Sequence, residues 1–237
     1  MLVPYVVAGS LGIAGLAIAI QLGTAPEPFA RPSALVIAVG VVMFTVIAIS
    51  GLLINRGKWS RVLSIVVCGG VLVLAGLASV TLWSLVAIVG ALGALLGLSG
   101  RWLTGWLRPR PSATGPGTRV VFLVLGTLGL VPAVGIASPA GLETGHGILG
   151  AAGVLLAWGY SKANVWALWG LRLVLPLAAI PAIVTSPPAG AVFLAVYVAA
   201  LTVLAWTADA RIAVTPTYDR LPGPRYGIAD PSEETSA

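Results

Sequence analysis

Residues 62–99 read VLSIVVCGGVLVLAGLASVTLWSLVAIVGALGALLGLS, and no charged side chain interrupts them from Val62 to Ser99. As one helix this run would be on the order of 60 Å long at about 1.5 Å per residue, roughly twice the ~30 Å hydrocarbon core of a bilayer. It must therefore fold back, and Ser79–Trp83 is where the turn is expected.

The whole chain follows the same pattern. Of its 237 residues, 58% are hydrophobic and 8% charged, and the mean hydropathy is +1.03. Soluble domains carry about 25% charged residues, so the bilayer is the solvent this composition fits. Breaking the hydropathy at Pro, Gly and charge gives eight spans: Val3–Leu22, Ala34–Ile54, Val62–Ser79, Leu82–Ser99, Val120–Ala137, Gly147–Tyr160, Val165–Val184 and Ala189–Thr207. The first has no basic n-region and is too long for a signal-peptide core, so it reads as a retained span. The expected fold class is all-α, a polytopic transmembrane bundle. Residues 1–107 form one four-span half, 108–118 a Pro/Gly-rich linker, 119–208 a second half and 209–237 a disordered tail. Four spans per half make any duplication a parallel repeat.

Lysine and arginine set the orientation, because cytoplasmic loops retain them. With Met1 inside, Arg56, Lys58, Arg61, Arg101, Arg108, Arg110, Arg119, Lys162, Arg211, Arg220 and Arg225 all fall inside. Only Arg31 falls outside, and Arg172 lies within a span. The expectation is a multi-pass protein of the cell membrane with both termini cytoplasmic. Trp59, Trp83, Trp102, Trp106, Trp166, Trp169 and Trp206 stand at span ends, where indole rings favour the headgroup layer. The formal charge of +6 is spread over short loops and not gathered in a patch, which excludes nucleic acid as a partner.

Two segments, GLLINRGKWSRVLSIV at Gly51–Val66 and GRWLTGWL at Gly100–Leu107, resemble small four-span integral membrane proteins of actinobacteria. That resemblance covers about the first half of the chain and implies a membrane fold without implying an activity.

The raw material for catalysis is scarce. There is one histidine and one cysteine, so multi-His metal or haem sites and disulfides cannot be assembled within one chain, and no cofactor is implied. Cys68 reads as a packing residue. No GxxxxGK[ST], GxSxG or HExxH occurs. None of the seven acidic residues lies centrally in a span, which weakens an ion-coupled carrier. Glu143 and His146 pair within Ser138–Gly147, whose glycines point to a solvated loop.

Arg172 is the anomaly, a cation about 10 Å along the seventh span. As an anchor it would snorkel to the interface beside Trp166 and Trp169. Alternatively, Pro176 and Pro181 break the helix beyond it, and Arg172 with Lys162, Tyr160 and Asn164 holds an anionic solute or a lipid headgroup. Small-residue faces, Gly93/Gly97, Gly9/Gly12/Gly15 and Ala191/Ala195/Ala199, suit close helix packing within the chain or against a partner subunit. The tail reads as inert, and Tyr218–Tyr226 is its candidate docking element should a partner order it. The leading expectation is a non-enzymatic accessory or scaffold subunit of a membrane assembly. The alternative is a permease or facilitator for a small or anionic solute or a lipid, with its site near Arg172.

Overall fold

The computed structural model describes residues 2–56, 58–100, 103, 106, 107 and 118–214, and among them every regular element is helical. The first four helices are α1 (Val3–Thr24), α2 (Arg31–Ser50, prolonged by a π turn at Gly51–Asn55), α3 (Lys58–Leu77) and α4 (Leu82–Ser99). Next come α5 (Thr118–Leu128), α6 (Leu130–Ala137) and α7 (Thr144–Ser161). A π turn at Gly170–Val174 joins α8 (Val165–Trp169) to α9 (Leu175–Thr185), and α10 (Pro188–Ala205) and α11 (Ala208–Val214) follow. Of the expected linker 108–118, residues 108–117 lie outside the described residues and Thr118 opens α5; the tail beyond Val214, with its Tyr218–Tyr226 element, also lies outside them. So does Trp102. The first residues of the expected tail are helical, as α11.

The fold-back inside Val62–Ser99 falls between Leu77 and Leu82. Thr81 and Ser84 cap α4 reciprocally, the Thr81 N–H donating to Ser84 Oγ at 2.9 Å and the Ser84 N–H to Thr81 Oγ1 at 3.3 Å. Gln21, fully buried at the end of α1, accepts from the Thr81 hydroxyl and donates to the Ser79 carbonyl at 3.4 Å. A buried amide in an apolar bundle needs such partners.

Six helices among the described residues are long and apolar enough to cross a membrane, and a seventh counts if α5 and α6 form one span bent by 43°. That is fewer than the eight expected. The missing one, Gly147–Tyr160, is present as α7 at full length, but His146, Tyr160 and its glycines lower its apolarity below that of its neighbours. The helix bend is also displaced from its expected place. Val165–Thr185 runs on as one stretch through Pro176 and Pro181, because Pro176 sits in the opening turn of α9 directly after the π turn. The bend lies instead at Gly129, three residues before Pro132, whose missing N–H leaves the Leu128 carbonyl without its helical donor.

The helices close into two rings. In the first, α1 packs against α2 and α4, and α3 against α2 and α4; in the second, α7 lies between α5–α6 and α9, and α10 between α9 and α5–α6. Gly97 and Gly93 face Val7 and Ser10, so this small-residue pair joins α4 to α1 inside the chain. The rings meet along α2 and α6. There a Cβ on Gly40 would come within 2.6 Å of the Pro132 ring. Ser33 Oγ donates to the Ser138 carbonyl at 2.6 Å and the Ala30 N–H to the Pro139 carbonyl at 2.6 Å.

Candidate functional site

Up-and-down helices place Arg56, Arg61, Lys162, Arg172 and Arg211 near one end of the bundle and Arg31 near the other. At the basic end, Arg56 lies 3.8 Å from the Trp106 ring centroid, while the Trp106 indole N–H donates to the Leu52 carbonyl at 2.9 Å. Cation–π contacts of this kind stabilise by about 0.5–2 kcal/mol, depending on desolvation.

Of the four residues singled out from the sequence, Arg172 lies near enough to Tyr160 for their charges to interact, yet each of these two side chains is hydrogen-bonded to a different backbone carbonyl. Arg172 sits inside the π turn, whose extra residue resets the helical register. Its Nε donates to the Ala205 carbonyl at 2.9 Å. Its guanidinium carbon is 4.6 Å from the Trp206 ring and 5.3 Å from that of Trp169, and the two indoles meet edge to face at 6.4 Å. Trp169 and Trp206 therefore hold the cation, where Trp166 and Trp169 had been expected to accompany it. Tyr160 is buried and donates its hydroxyl to the Ala210 carbonyl at 3.0 Å, fastening α11 across the bundle end. Lys162 is exposed and Asn164 half-exposed in the turn between α7 and α8.

His146 is fully buried in the first turn of α7 and not in a solvated loop. Its Nδ1 accepts from the Glu143 N–H at 3.2 Å, so a neutral ring carries its proton on Nε2, 2.9 Å from Ser186 Oγ. Ser186 in turn donates to the Ala182 carbonyl at 2.7 Å. The chain of bonds ties α7 to the end of α9, and each member is satisfied by its neighbour. No group of three or more metal-ligating side chains gathers among the described residues.

A cavity lies elsewhere, beside the seam between the two rings. It has a volume of about 470 Å³ and is walled by α2 and α3 on one side and α5, α6 and α10 on the other. All four phenylalanines of the chain, Phe29, Phe44, Phe122 and Phe193, line it. Tyr197 is the one polar side chain on its wall, and the Tyr197 hydroxyl already donates to the Gly126 carbonyl at 2.8 Å. Val66, Val73 and Leu77, on the open side of α3, are more than half exposed, so the cavity is a groove open to the bundle's surface. It does not reach Arg172. Sequence reasoning missed it because its phenylalanines are scattered from residue 29 to residue 193; their scarcity elsewhere is visible only after folding. No family model, curated protein or solved structure matches this chain.

Proposed function

We propose that the chain is a non-catalytic, eight-pass protein of the cell membrane, with both ends cytoplasmic, that acts as an accessory or scaffold subunit of a membrane assembly. The observation that carries this reading is where the polar groups go. Arg172, Tyr160, His146, Tyr197 and Gln21 are each engaged inside the chain, and the open groove is walled by hydrocarbon. What such a molecule offers is apolar surface. Ala195 and Ala199 on α10 are exposed, a small-residue face on which a partner helix packs closely.

Eight crossings require α5–α6 to count as one span and α7 as another. The polar residues that lower the apolarity of α7, His146 and Tyr160, are turned inward, while Ile148, Leu155 and Trp158 are about half exposed. Lipid therefore meets an apolar face, and the even count puts nearly all basic residues on one side, as the positive-inside rule favours. The resemblance of the first half to four-span proteins, together with the two like rings, supports a parallel duplication.

A permease working near Arg172 needs an aqueous path to that guanidinium, and the groove runs elsewhere. The test is native purification in mild detergent with mass spectrometry of what accompanies the chain. A stoichiometric protein partner is expected, and a chain that elutes alone overturns the subunit reading.

A further inference from the structure

Both ring nitrogens of the fully buried His146 have fixed roles. Nδ1 accepts from the Glu143 N–H at 3.2 Å. Ser186 Oγ, 2.9 Å from Nε2, gives its own proton to the Ala182 carbonyl at 2.7 Å, so it accepts from the ring. The network therefore holds one tautomer of the neutral imidazole. An imidazolium carries a proton on Nδ1 as well and would set it against the Glu143 N–H, donor against donor. That bond cannot survive protonation, and the charge would stand in a buried site.

The bond closes a short strap whose other end is held by the first ring. Residues 138–143 join α6 to α7. At one end of the strap, Ser33 Oγ donates to the Ser138 carbonyl and the Ala30 N–H to the Pro139 carbonyl, both at 2.6 Å, which fastens it to the start of α2. In the middle, Gly141 takes a φ of 148° that side chains rarely adopt, and its N–H returns to the Ser138 carbonyl at 3.2 Å. At the other end the Glu143 N–H is tied to the ring, and the Glu143 carbonyl accepts from the His146 and Gly147 N–H groups at 3.0 and 3.2 Å. A turn this tight passes a movement at Glu143 on to Ser138 and the seam.

Few charges act on the ring. Of the helices packed on α7, α6, α8 and α9 hold no titratable residue, and α5 holds only Arg119, in its first turn at the opposite end of the bundle. Glu143 is the one charge that bears on His146. Its side chain is exposed, so solvent screens its attraction for an imidazolium. Glu27 and Arg31, at the same end, are exposed as well.

We propose that His146 is a proton sensor at the end of the bundle away from the basic residues: taking up a proton frees residues 138–143 from α7 and loosens their hold on α2, and with it the seam between the rings. The folded strap holds the neutral ring, and the freed strap takes the proton at the ordinary imidazole value of about 6.5. The clamp is therefore at full strength above that pH and weakens as pH falls below it. The device belongs to the chain by itself and stands or falls apart from the subunit reading.

Hydrogen exchange at single amides tests it, on the purified full chain in mild detergent between about pH 7.5 and 5.5, with rates corrected for the intrinsic pH dependence of exchange. The Glu143, Gly147 and Ala30 amides are expected to lose protection about tenfold at pH 5.5, as one proton taken up on opening requires. The Ser84 and Leu85 amides, in the α4 cap at the same end, are expected to keep theirs. His146→Asn still offers an acceptor to the Glu143 N–H and does not titrate, so its profile is expected to be flat; His146→Gln takes its place if it does not fold. Glu143→Gln is expected to retain the loss. Constant protection in the native chain, an equal loss in the α4 cap, a loss that persists in His146→Asn or one that vanishes in Glu143→Gln overturns the inference. So does a loss at Glu143 that leaves Ala30 unchanged, because the strap then opens without reaching the seam.

Discussion

Replacing Gly40 with alanine tests the seam that joins the two rings. The new Cβ would stand 2.6–2.8 Å from three atoms of the Pro132 ring, where carbon atoms prefer about 3.5–4.0 Å. A proline ring has no alternative rotamer, so α2 and α6 must part by about 1 Å. That movement stretches the Ser33–Ser138 and Ala30–Pro139 hydrogen bonds, both 2.6 Å long. Overpacking of this kind costs about 1–3 kcal/mol, while Gly→Ala in a helix returns about 1 kcal/mol. Gly69→Ala on α3 gains the same helical term and meets no neighbour. The propensity terms cancel in the comparison, which leaves Gly40→Ala less stable than Gly69→Ala by about 1–3 kcal/mol. The measurement is thermal unfolding in one detergent, followed by tryptophan fluorescence, where each kcal/mol shifts Tm by roughly 2–4 °C for a chain of this size. Equal midpoints for the two alanine variants would refute the close approach of α2 to α6.

Three other perturbations probe the polar ties. Arg172→Lys keeps the charge but loses the planar fork held by Ala205, Trp169 and Trp206; a loss of about 1–2 kcal/mol is expected by the same unfolding assay, and an unchanged midpoint would show that the cluster contributes nothing. Tyr160→Phe leaves the Ala210 carbonyl without its donor, at a cost of about 1–3 kcal/mol, and should speed amide exchange in Ala208–Val214 selectively. His146→Ala removes both the acceptor for the Glu143 N–H and the partner of Ser186. It should lower the midpoint by about 1–3 kcal/mol of stability, with His146→Asn recovering part of the loss because its amide can still accept from the cap.

The parts of the fold that were legible in the sequence are those set by a length. Val62–Ser99 is too long for one crossing, and the turn stands where the Thr81–Ser84 cap can form. Among the described residues, Arg56, Arg61, Lys162, Arg172 and Arg211 fall near one end because the helices run up and down in turn. What was misread turned on glycine and proline. The glycines around His146 looked like loop signals, yet Gly145 lets the first turn of α7 close on the backbone of α9, where a Cβ would meet Ala182 N and the Pro181 carbonyl carbon at 2.9 Å. Between apolar helices glycine is a packing residue as often as a breaker. Proline was misplaced for a related reason: Pro176 falls where the π turn has already loosened the backbone, and the bend goes to Gly129, just before Pro132, whose ring also packs in the seam. Arg172 stands out in the sequence, but its partner Trp206 is thirty-four positions away and is met only in the folded chain, where Arg172 sits in the π turn.

The groove itself follows from how the two halves are built. Each is a ring of four helices with its own core, and two convex bundles touch along a line and diverge on either side of it. In water such a wedge would close by hydrophobic collapse. In a bilayer the surrounding tails are as apolar as the walls, so no such force acts and only close packing draws helices together. Along the seam Gly40 and Gly135 permit that packing; beside it the walls cannot meet. The phenylalanines then decide the width. Reaching in from α2, α5, α10 and the loop before α2, four rings narrow the wedge.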